Sequence, residues 1–188
     1  MFFASTENVY SQCPQGFNGT YTISIHKCPG CRVEVDYCLS QPSPGSGLCN
    51  IHVMNIRYFG LMCSNCLPVD QNGNYVIGWA DVVTAIVRKP EHIGCFYMIT
   101  LLPCDEQVSR PTVLVSNGGC YYVIEGFIDD VYVKEYIPCD MSGISFCYQN
   151  FSFCLERVGD DWKIKAVAGP VTPQFECLED GCYSLCND

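Results

Sequence analysis

The sharpest chemical signal in this 188-residue sequence is a pair of Cys-x-x-Cys motifs. Their members are Cys28, Cys31, Cys63 and Cys66. Four thiolates at such local spacing can hold a tetrahedral zinc ion, but 31 residues separate the motifs, more than the roughly 15–20 of the usual four-cysteine pattern. A thioredoxin-like redox site needs its motif at a helix N-terminus, whereas Pro29 and Gly30 predict a β-turn. We therefore predict disulfides, with a four-cysteine metal site as the weaker alternative and no cofactor.

Twelve further cysteines strengthen the disulfide interpretation. The total of sixteen is even, as a fully paired framework requires. The other predicted disulfide cysteines are Cys13, Cys38, Cys49, Cys95, Cys104, Cys120, Cys139, Cys147, Cys154, Cys177, Cys182 and Cys186. This density is typical of secreted or cell-surface proteins in oxidising surroundings, so we expect an extracellular location. The spacing leaves the connectivity open.

The remaining chemistry-bearing residues match no catalytic pattern. The three histidines, His26, His52 and His92, are scattered, and we predict that they lie at the surface or on edge strands. The acidic pairs Asp129-Asp130, Asp160-Asp161 and Glu179-Asp180 lack the alternating ligands of a calcium loop and are typical of solvated turns. No phosphate-binding loop or Gly-x-Ser-x-Gly motif is present. The sequence predicts a protein that is not an enzyme, with a secreted hydrolase as a remote alternative.

The charge balance excludes two classes of partner. The formal net charge is −10, and no cluster of Lys and Arg offsets it. Phosphate backbones and anionic membrane surfaces repel such a protein. No apolar run approaches the roughly 20 residues that a membrane-spanning helix needs, so we predict no nucleic acid partner and no membrane span.

Alternating apolar and polar residues predict that most of the chain forms strands. The predicted strands are 17–27, 32–39, 51–59, 95–102, 112–116, 120–127, 131–137, 145–157 and 162–167. Asn117-Gly118-Gly119 predicts a hairpin turn between two of them. One helix is predicted at 79–89, because Trp79, Val82, Val83 and Ile86 share a helical face and Pro90 follows.

An apparent internal repeat suggests two equivalent strand units. Gly94-Cys95-Phe96-Tyr97 matches Gly119-Cys120-Tyr121-Tyr122, and Leu102-Pro103-Cys104-Asp105 matches Ile137-Pro138-Cys139-Asp140. The predicted fold is all-β and mainly antiparallel, a disulfide-rich sandwich or barrel-like domain with at most one short helix. Residues 13–188 are predicted to form one domain, with 13–69 and 70–188 as possible subdomains.

Two non-enzymatic functions fit these features. The preferred hypothesis is a secreted structural or adhesive protein, such as a filament subunit, that exchanges strands with copies of itself. The segment 1–12 is then an assembly strand anchored by Phe2, Phe3, Val9 and Tyr10, or else the remnant of a signal peptide. The alternative is a monomeric module that binds an extracellular protein or glycan through exposed aromatic residues. Asn18 and Asn150 match the N-glycosylation pattern.

Overall fold

The computed structural model describes most of the chain from Cys13 onward, and the statements below concern only that part. The described residues are 13–41, 48–69, 73–75, 78–96, 100–106, 110–117, 119–139, 147–172, 177 and 180–184. The predicted assembly strand, with Phe2, Phe3, Val9 and Tyr10, lies outside them, as does Cys186.

Strands dominate the described residues, and they form one mixed, mostly antiparallel sheet. The strands are β1 (Phe17–Cys28), β2 (Cys31–Ser40), β3 (Ile51–Phe59), β4 (Thr112–Asn117), β5 (Cys120–Ile128), β6 (Val131–Pro138), β7 (Cys147–Val158), β8 (Asp161–Thr172) and β9 (Tyr183–Ser184). The helices are α1 (Trp79–Val87) and the single turn α2 (Ile93–Phe96), and 3-10 turns cover Leu61–Asn65 and Pro90–His92.

Strand β3 is the centre of the sheet, and one of its edges is shared by two strands. Antiparallel β2 follows the other edge from Ile51 to Phe59. On the shared edge, β4 pairs in parallel up to Val53, and β6 pairs antiparallel from Ile56. Asn55 lies at this fork, and its side-chain oxygen is buried with no hydrogen-bond partner in the described part of the chain. The sheet therefore divides into a branch β4-β7-β8 and a branch β6-β5-β9.

The sheet curls into a half-barrel, and α1 packs against it. Helix α1 packs against both β1 and β8, the two strands at the ends of the curled path. Its apolar face buries Val82, Val83 and Ile86, and an ion pair between Lys27 and Asp81 ties it to β1. Because a curled sheet leaves an apolar concave face, the helix supplies the layer that covers it.

The core lies between this concave face and α1. Val33, Val35, Ile56 and Tyr58 of the central strands are at most 1% exposed. Their alternation along β2 and β3 places successive apolar side chains on the same face. The prediction that most aromatic residues of the strands are core is confirmed by Tyr37, Tyr58, Tyr121, Tyr136, Phe151 and Phe153, all buried.

Disulfides fix loops and ends to the sheet. The described pairs are Cys13–Cys38, Cys28–Cys66, Cys31–Cys63, Cys49–Cys95, Cys104–Cys154, Cys120–Cys177 and Cys139–Cys182. Cys147 is disulfide-bonded as well, and no described cysteine is free. Two of these bonds attach the C-terminal tail to β5 and to the end of β6. The only strand pairing of that tail in the described residues is through the short β9.

The predicted fold class is confirmed: the protein is mainly β and disulfide-rich, with one short helix. The predicted helix at 79–89 is α1, which ends just before Arg88 and Pro90. Eight of the nine predicted strands are present with shifts at their ends.

Two local predictions are wrong. Residues 95–96 belong to the helical turn α2 rather than to a strand, so the apparent repeat at Gly94 and Gly119 is not a structural repeat. The residues around Asn117 do not form a hairpin turn between β4 and β5, because β3 and β7 occupy the two edges of β4. Strand β5 therefore pairs with β6 on the other branch.

The packing around β3 gives a stability prediction. Replacing the fully buried Ile56 by alanine (Ile56→Ala) should lower the free energy of unfolding by roughly 2–5 kcal/mol, because it opens a cavity in a close-packed core. The matched control is Ile124→Ala on β5, which is 52% exposed and should cost about 0.5 kcal/mol or less. Chemical denaturation with the disulfides intact measures both values, and equal losses would contradict the proposed core.

Candidate functional site

The two Cys-x-x-Cys motifs meet at the end of β3, where they cross-link each other. Cys28 and Cys31 flank the turn between β1 and β2, and they face each other in the hairpin register. Cys63 and Cys66 lie in and just after the 3-10 turn that follows β3. The bonds Cys28–Cys66 and Cys31–Cys63 have Cα separations of 6.2 and 4.7 Å. We call these two disulfides the double clamp.

Glycines allow the two loops of the double clamp to touch. Gly60 has φ 99°, and a Cβ atom there would lie 2.0 Å from the carbonyl oxygen of Gly30. Such a contact is impossible for any other residue. Gly30 itself has φ 80°, which suits the third position of the predicted type II turn. The loops are thus in backbone contact, and the sulfur atoms bridge them.

The two bonds of the double clamp differ in exposure. Cys31 and Cys63 are 2% and 0% exposed, whereas Cys66 is exposed and Cys28 is half-buried. All four cysteines are oxidised, so none offers the thiolate that zinc coordination requires. No group of three or more His, Cys, Asp or Glu residues within the described part of the chain could hold a metal ion.

A cleft of about 520 Å³ opens beside the double clamp. Its walls include the turn between β1 and β2, the end of β3 and Val131 at the start of β6. Three residues that can carry positive charge line it: His26, Lys27 and Arg32. Lys27 pairs with Asp81, and the guanidinium of Arg32 lies 4.4 Å above the ring of Phe59. The exposed disulfide therefore borders a cleft with cationic walls.

The β5–β6 hairpin exposes a group of apolar side chains near its turn. Ile124, Phe127, Ile128 and Val131 are 52%, 69%, 58% and 43% exposed. We call these four residues the hairpin tip. Scattered exposed apolar residues are normal on a protein surface, but several on one projecting element indicate an interaction site.

The hairpin tip is held in a defined conformation. Asp129 and Asp130 form its two-residue turn with φ 48° and 62°, the left-handed values of a type I′ hairpin turn. Tyr132 packs edge-on against Phe127 with ring centroids 5.7 Å apart, and it donates a 2.6 Å hydrogen bond to Glu125. This hydrogen bond is the main reason why the pKa of Tyr132 rises to about 12.

The outer edge of β5 is open beside the hairpin tip. β9 pairs with β5 only at Cys120 and Tyr121, and from Tyr122 to Ile128 no strand in the described part of the chain pairs with that edge. An unpaired edge presents free backbone donors and acceptors to an incoming strand. Exposed apolar side chains and a free edge thus coincide on one hairpin.

Two of the three histidines contradict the prediction of surface positions. His52 is 5% exposed in the central strand, and His92 is 3% exposed after α1; only His26 is exposed. The Nε2 atom of His92 lies 2.6 Å from the hydroxyl oxygen of Tyr37. Burial is the main cause of a raised pKa at Tyr37 and a lowered pKa at His92. The sequence shows no local signal for these pairs, because their partners are distant along the chain.

His52 of β3 forms a Ser–His pair with Ser116 of β4. Its Nδ1 atom lies 2.9 Å from the hydroxyl oxygen of Ser116, which resembles the first half of a hydrolase dyad. Both side chains are nearly inaccessible, at 5% and 6% exposure, so a substrate carbonyl cannot reach the serine. We therefore assign this pair to the core.

A row of charged side chains crosses the central strands. Arg57 of β3 contacts Asp36 of β2 at 2.8 Å and Glu135 of β6 at 3.6 Å. Burial raises the pKa of Glu135, and the guanidinium of Arg57 opposes that shift. Arg57 therefore forms ion pairs with both carboxylates. This network has a structural role, because it joins the two strands that flank β3.

The other predicted positions are placed as follows. Exposed aromatic residues are Tyr122, Phe127, Tyr148, Trp162 and Tyr183, and they occur on four different strands, β5, β7, β8 and β9.

Both candidate glycosylation residues, Asn18 and Asn150, are exposed, as a modification site requires. Asp129 and Asp130 form a hairpin turn, whereas Asp160 lies in the turn between β7 and β8 and Asp161 begins β8; Glu179 lies outside the described residues. None of the described helices is long and apolar enough to cross a membrane.

Comparison with known proteins does not identify the chain: no family model, no curated protein and no solved structure matches it. The geometry of the double clamp and of the hairpin tip is therefore the basis for any functional assignment.

The buried histidine gives a prediction for pH dependence. Burial lowers the pKa of His52 from 6.5 to about 4, so the unfolded chain binds a proton there more readily than the folded protein does. The stability from neutral His52 is complete above about pH 6.5, and roughly 3 kcal/mol should be lost as pH falls to about 4. His92, whose pKa is also lowered, contributes in the same direction.

Denaturation between about pH 7 and pH 4 measures this loss. His52→Gln should flatten the pH dependence, whereas Ser116→Ala keeps the imidazole and should retain it at lower overall stability. Identical pH profiles for the native protein and His52→Gln would contradict the assignment.

Proposed function

We propose that this chain is an extracellular protein-binding domain that contacts its partner through the β5–β6 hairpin. The observation that carries the proposal is the exposure of the hairpin tip. Seven disulfides in the described residues are consistent with oxidising surroundings. Four apolar side chains on a stiff hairpin lose little conformational entropy on binding, and this favours affinity.

The free edge of β5 supports a specific mode of binding. An extended segment of the partner can pair with β5 from Tyr122 to Ile128 and add a strand to the sheet. In this mode, main-chain hydrogen bonds provide affinity and alternate side chains provide specificity. The apolar partner side chains would then contact Ile124 on one face and Phe127 on the other.

The charge of the hairpin indicates the chemistry of the partner. Glu125, Asp129 and Asp130 are exposed on it, and the whole chain carries a net charge of −10. A basic segment is attracted to such a surface, and an acidic one is repelled. We therefore propose an extended partner segment in which apolar residues alternate with Lys or Arg.

Selection from a displayed random peptide library on the immobilised full-length protein tests this mode. The enriched peptides should alternate apolar and basic residues. The triple variant Ile124→Ser, Phe127→Ser, Ile128→Ser should weaken binding of an enriched peptide at least about tenfold, since it removes central apolar contacts.

Trp162→Ser is the matched control for this experiment. Trp162 is 55% exposed but lies on β8, far along the sheet from β5, so binding should be unchanged. Enrichment of acidic peptides, or equal loss of binding in the control, would contradict the proposal. Because all three substituted residues are exposed, chemical denaturation should show little loss of stability in the triple variant.

Self-assembly by strand exchange is the second proposal, and the same open edge of β5 favours it. A second copy could supply the added strand, with Phe2, Phe3, Val9 and Tyr10 of its N-terminal segment as anchors. The two proposals differ in their salt dependence. Copies with a net charge of −10 repel each other, so self-assembly should increase with salt, whereas a basic partner should bind more weakly.

Sedimentation velocity of the oxidised protein at about 0.05 M and 0.5 M salt separates the two proposals. Polymers that grow with salt and disappear when residues 1–12 are deleted would support self-assembly. A monomer at both concentrations of salt would contradict self-assembly and leave the binding domain as the proposed function.

A further inference from the structure

We propose that the double clamp is a thiol–disulfide exchange site, at which Cys66 accepts a thiolate and the two disulfides then re-pair within each Cys-x-x-Cys motif. The inference rests on the juxtaposition of one exposed and one buried disulfide, and it is independent of the binding proposal above. An external thiolate attacks a disulfide where a sulfur is accessible to solvent, and in the double clamp the most exposed sulfur-bearing residue is Cys66.

The surroundings favour Cys28 as the leaving group. Cys28 lines the cleft that Lys27 and Arg32 also line, and these cations, which pair with Asp81 and Glu34, are the charged neighbours that stabilise a departing thiolate. Cys66 follows a 3-10 turn and its own N–H bonds back to the carbonyl of Cys63. It therefore lies at the end of the turn where unpaired carbonyl groups disfavour a thiolate. Attack at Cys66 with release of Cys28 is the preferred direction.

The released thiolate has a second disulfide beside it. Cys28 and Cys31 are directly opposed in the β1–β2 register, and opposed residues of antiparallel strands have Cα atoms roughly 4.5–5.5 Å apart. Cys63 and Cys66 span a turn closed by a 3.1 Å backbone hydrogen bond, so their Cα atoms lie within about 7 Å. Both local pairs thus come within the range of Cα separations that disulfides adopt.

Three displacements complete the exchange without net oxidation. An external thiolate bonds to the sulfur of Cys66, the Cys28–Cys66 bond breaks, and Cys28 leaves as a thiolate. Cys28 then attacks Cys31, the Cys31–Cys63 bond breaks, and Cys63 leaves. Finally Cys63 attacks Cys66 and expels the external thiolate. The products are Cys28–Cys31 and Cys63–Cys66, and the thiol acts as a catalyst.

The re-pairing removes the covalent link between the two loops. The double clamp closes chain segments with sequence separations of 38 and 32 residues, whereas each local disulfide closes only its own turn. Shorter closed loops restrict the unfolded chain less, so the re-paired protein should have a lower Tm. The 3-10 turn would then be held to the β1–β2 hairpin by non-covalent contacts alone.

Tryptic peptide mapping distinguishes the two pairings directly. Cleavage after Lys27 and Arg32 places Cys28 and Cys31 in one peptide, and cleavage after Arg57 and Arg88 places Cys63 and Cys66 in another. The double clamp links these two peptides, and the re-paired form releases them separately, each with an internal disulfide. The full-length oxidised protein is incubated without oxygen with about a tenth of an equivalent of reduced glutathione near pH 8, then alkylated and digested.

The expected result is loss of the linked peptide pair and a matching gain of the two internally bonded peptides. The Cys13–Cys38 bond is the internal control. Cys38 is fully buried and Cys13 is half-buried, so neither sulfur is as accessible as that of Cys66 and this bond should keep its pairing. An unchanged linked pair after prolonged incubation, or equal scrambling of the Cys13–Cys38 bond, would overturn the proposal.

A double variant tests the direction of attack. Cys31→Ser with Cys63→Ser removes the buried disulfide and keeps the exposed one, so the protein remains covalently closed. With excess glutathione, the mixed disulfide should accumulate on Cys66 and alkylation should label Cys28, because the excess opposes return of the Cys28 thiolate to Cys66 and no second disulfide remains for Cys28 to attack. A glutathione adduct on Cys28, or none on either cysteine, would overturn the assignment of Cys66 as the attacked sulfur.

Discussion

The hydrogen bonding of β3 on both edges is the constraint on which the rest of this structure depends. A strand with one partner per edge extends a sheet in two directions, but β3 divides one edge between β4 and β6. The two branches must diverge from the fork because two strands cannot pair with the same residues along one edge of a third strand. One branch leads to β8, which packs against α1, and the other carries the β5–β6 hairpin, whose tip is exposed.

The disulfides also hold segments that strand pairing does not attach to the sheet. The core of β2 and β3 is apolar and closely packed, and β2 also carries two disulfides, at Cys31 and Cys38. The bonds fix the segment before β1, the helical turn α2 and the C-terminal tail. Each bond restricts the unfolded chain and contributes roughly 2–4 kcal/mol. Hydrophobic burial therefore stabilises the half-barrel, and disulfides hold its periphery.

The sequence predicts those parts of the fold that local patterns determine. The alternation of residues in β1, β2 and β3 marks the strands, and the apolar spacing from Trp79 to Ile86 marks α1. Contacts between distant segments leave no such mark. A glycine and two aromatics around Cys95 and Cys120 look alike in sequence. The first forms a helical turn bonded to Cys49, and the second begins a strand bonded to Cys177.

The candidate sites also combine features that local sequence patterns predict with features that arise only from contacts between distant segments. The spacing within each Cys-x-x-Cys motif is visible, but nothing local reveals that Gly60 lets one motif rest on the other. The sequence indicates the hairpin tip only weakly. The alternation of apolar and polar residues breaks at Phe127-Ile128, beside the acidic turn. No local sequence pattern indicates that His52 and His92 are buried, because Ser116 and Tyr37 approach them only in the folded chain.

The double clamp and the β5–β6 hairpin share a border at the end of β3. The backbone N–H of Gly60, beside the clamp, donates a 2.8 Å hydrogen bond to the carbonyl of Tyr132, whose ring packs against Phe127 of the hairpin tip. Val131 of the tip also lines the cleft next to Cys28. A loop tied by two disulfides holds this hydrogen bond more rigidly than a loop held by packing alone. The pairing of the four cysteines therefore acts on the same strand end that positions the exposed apolar side chains.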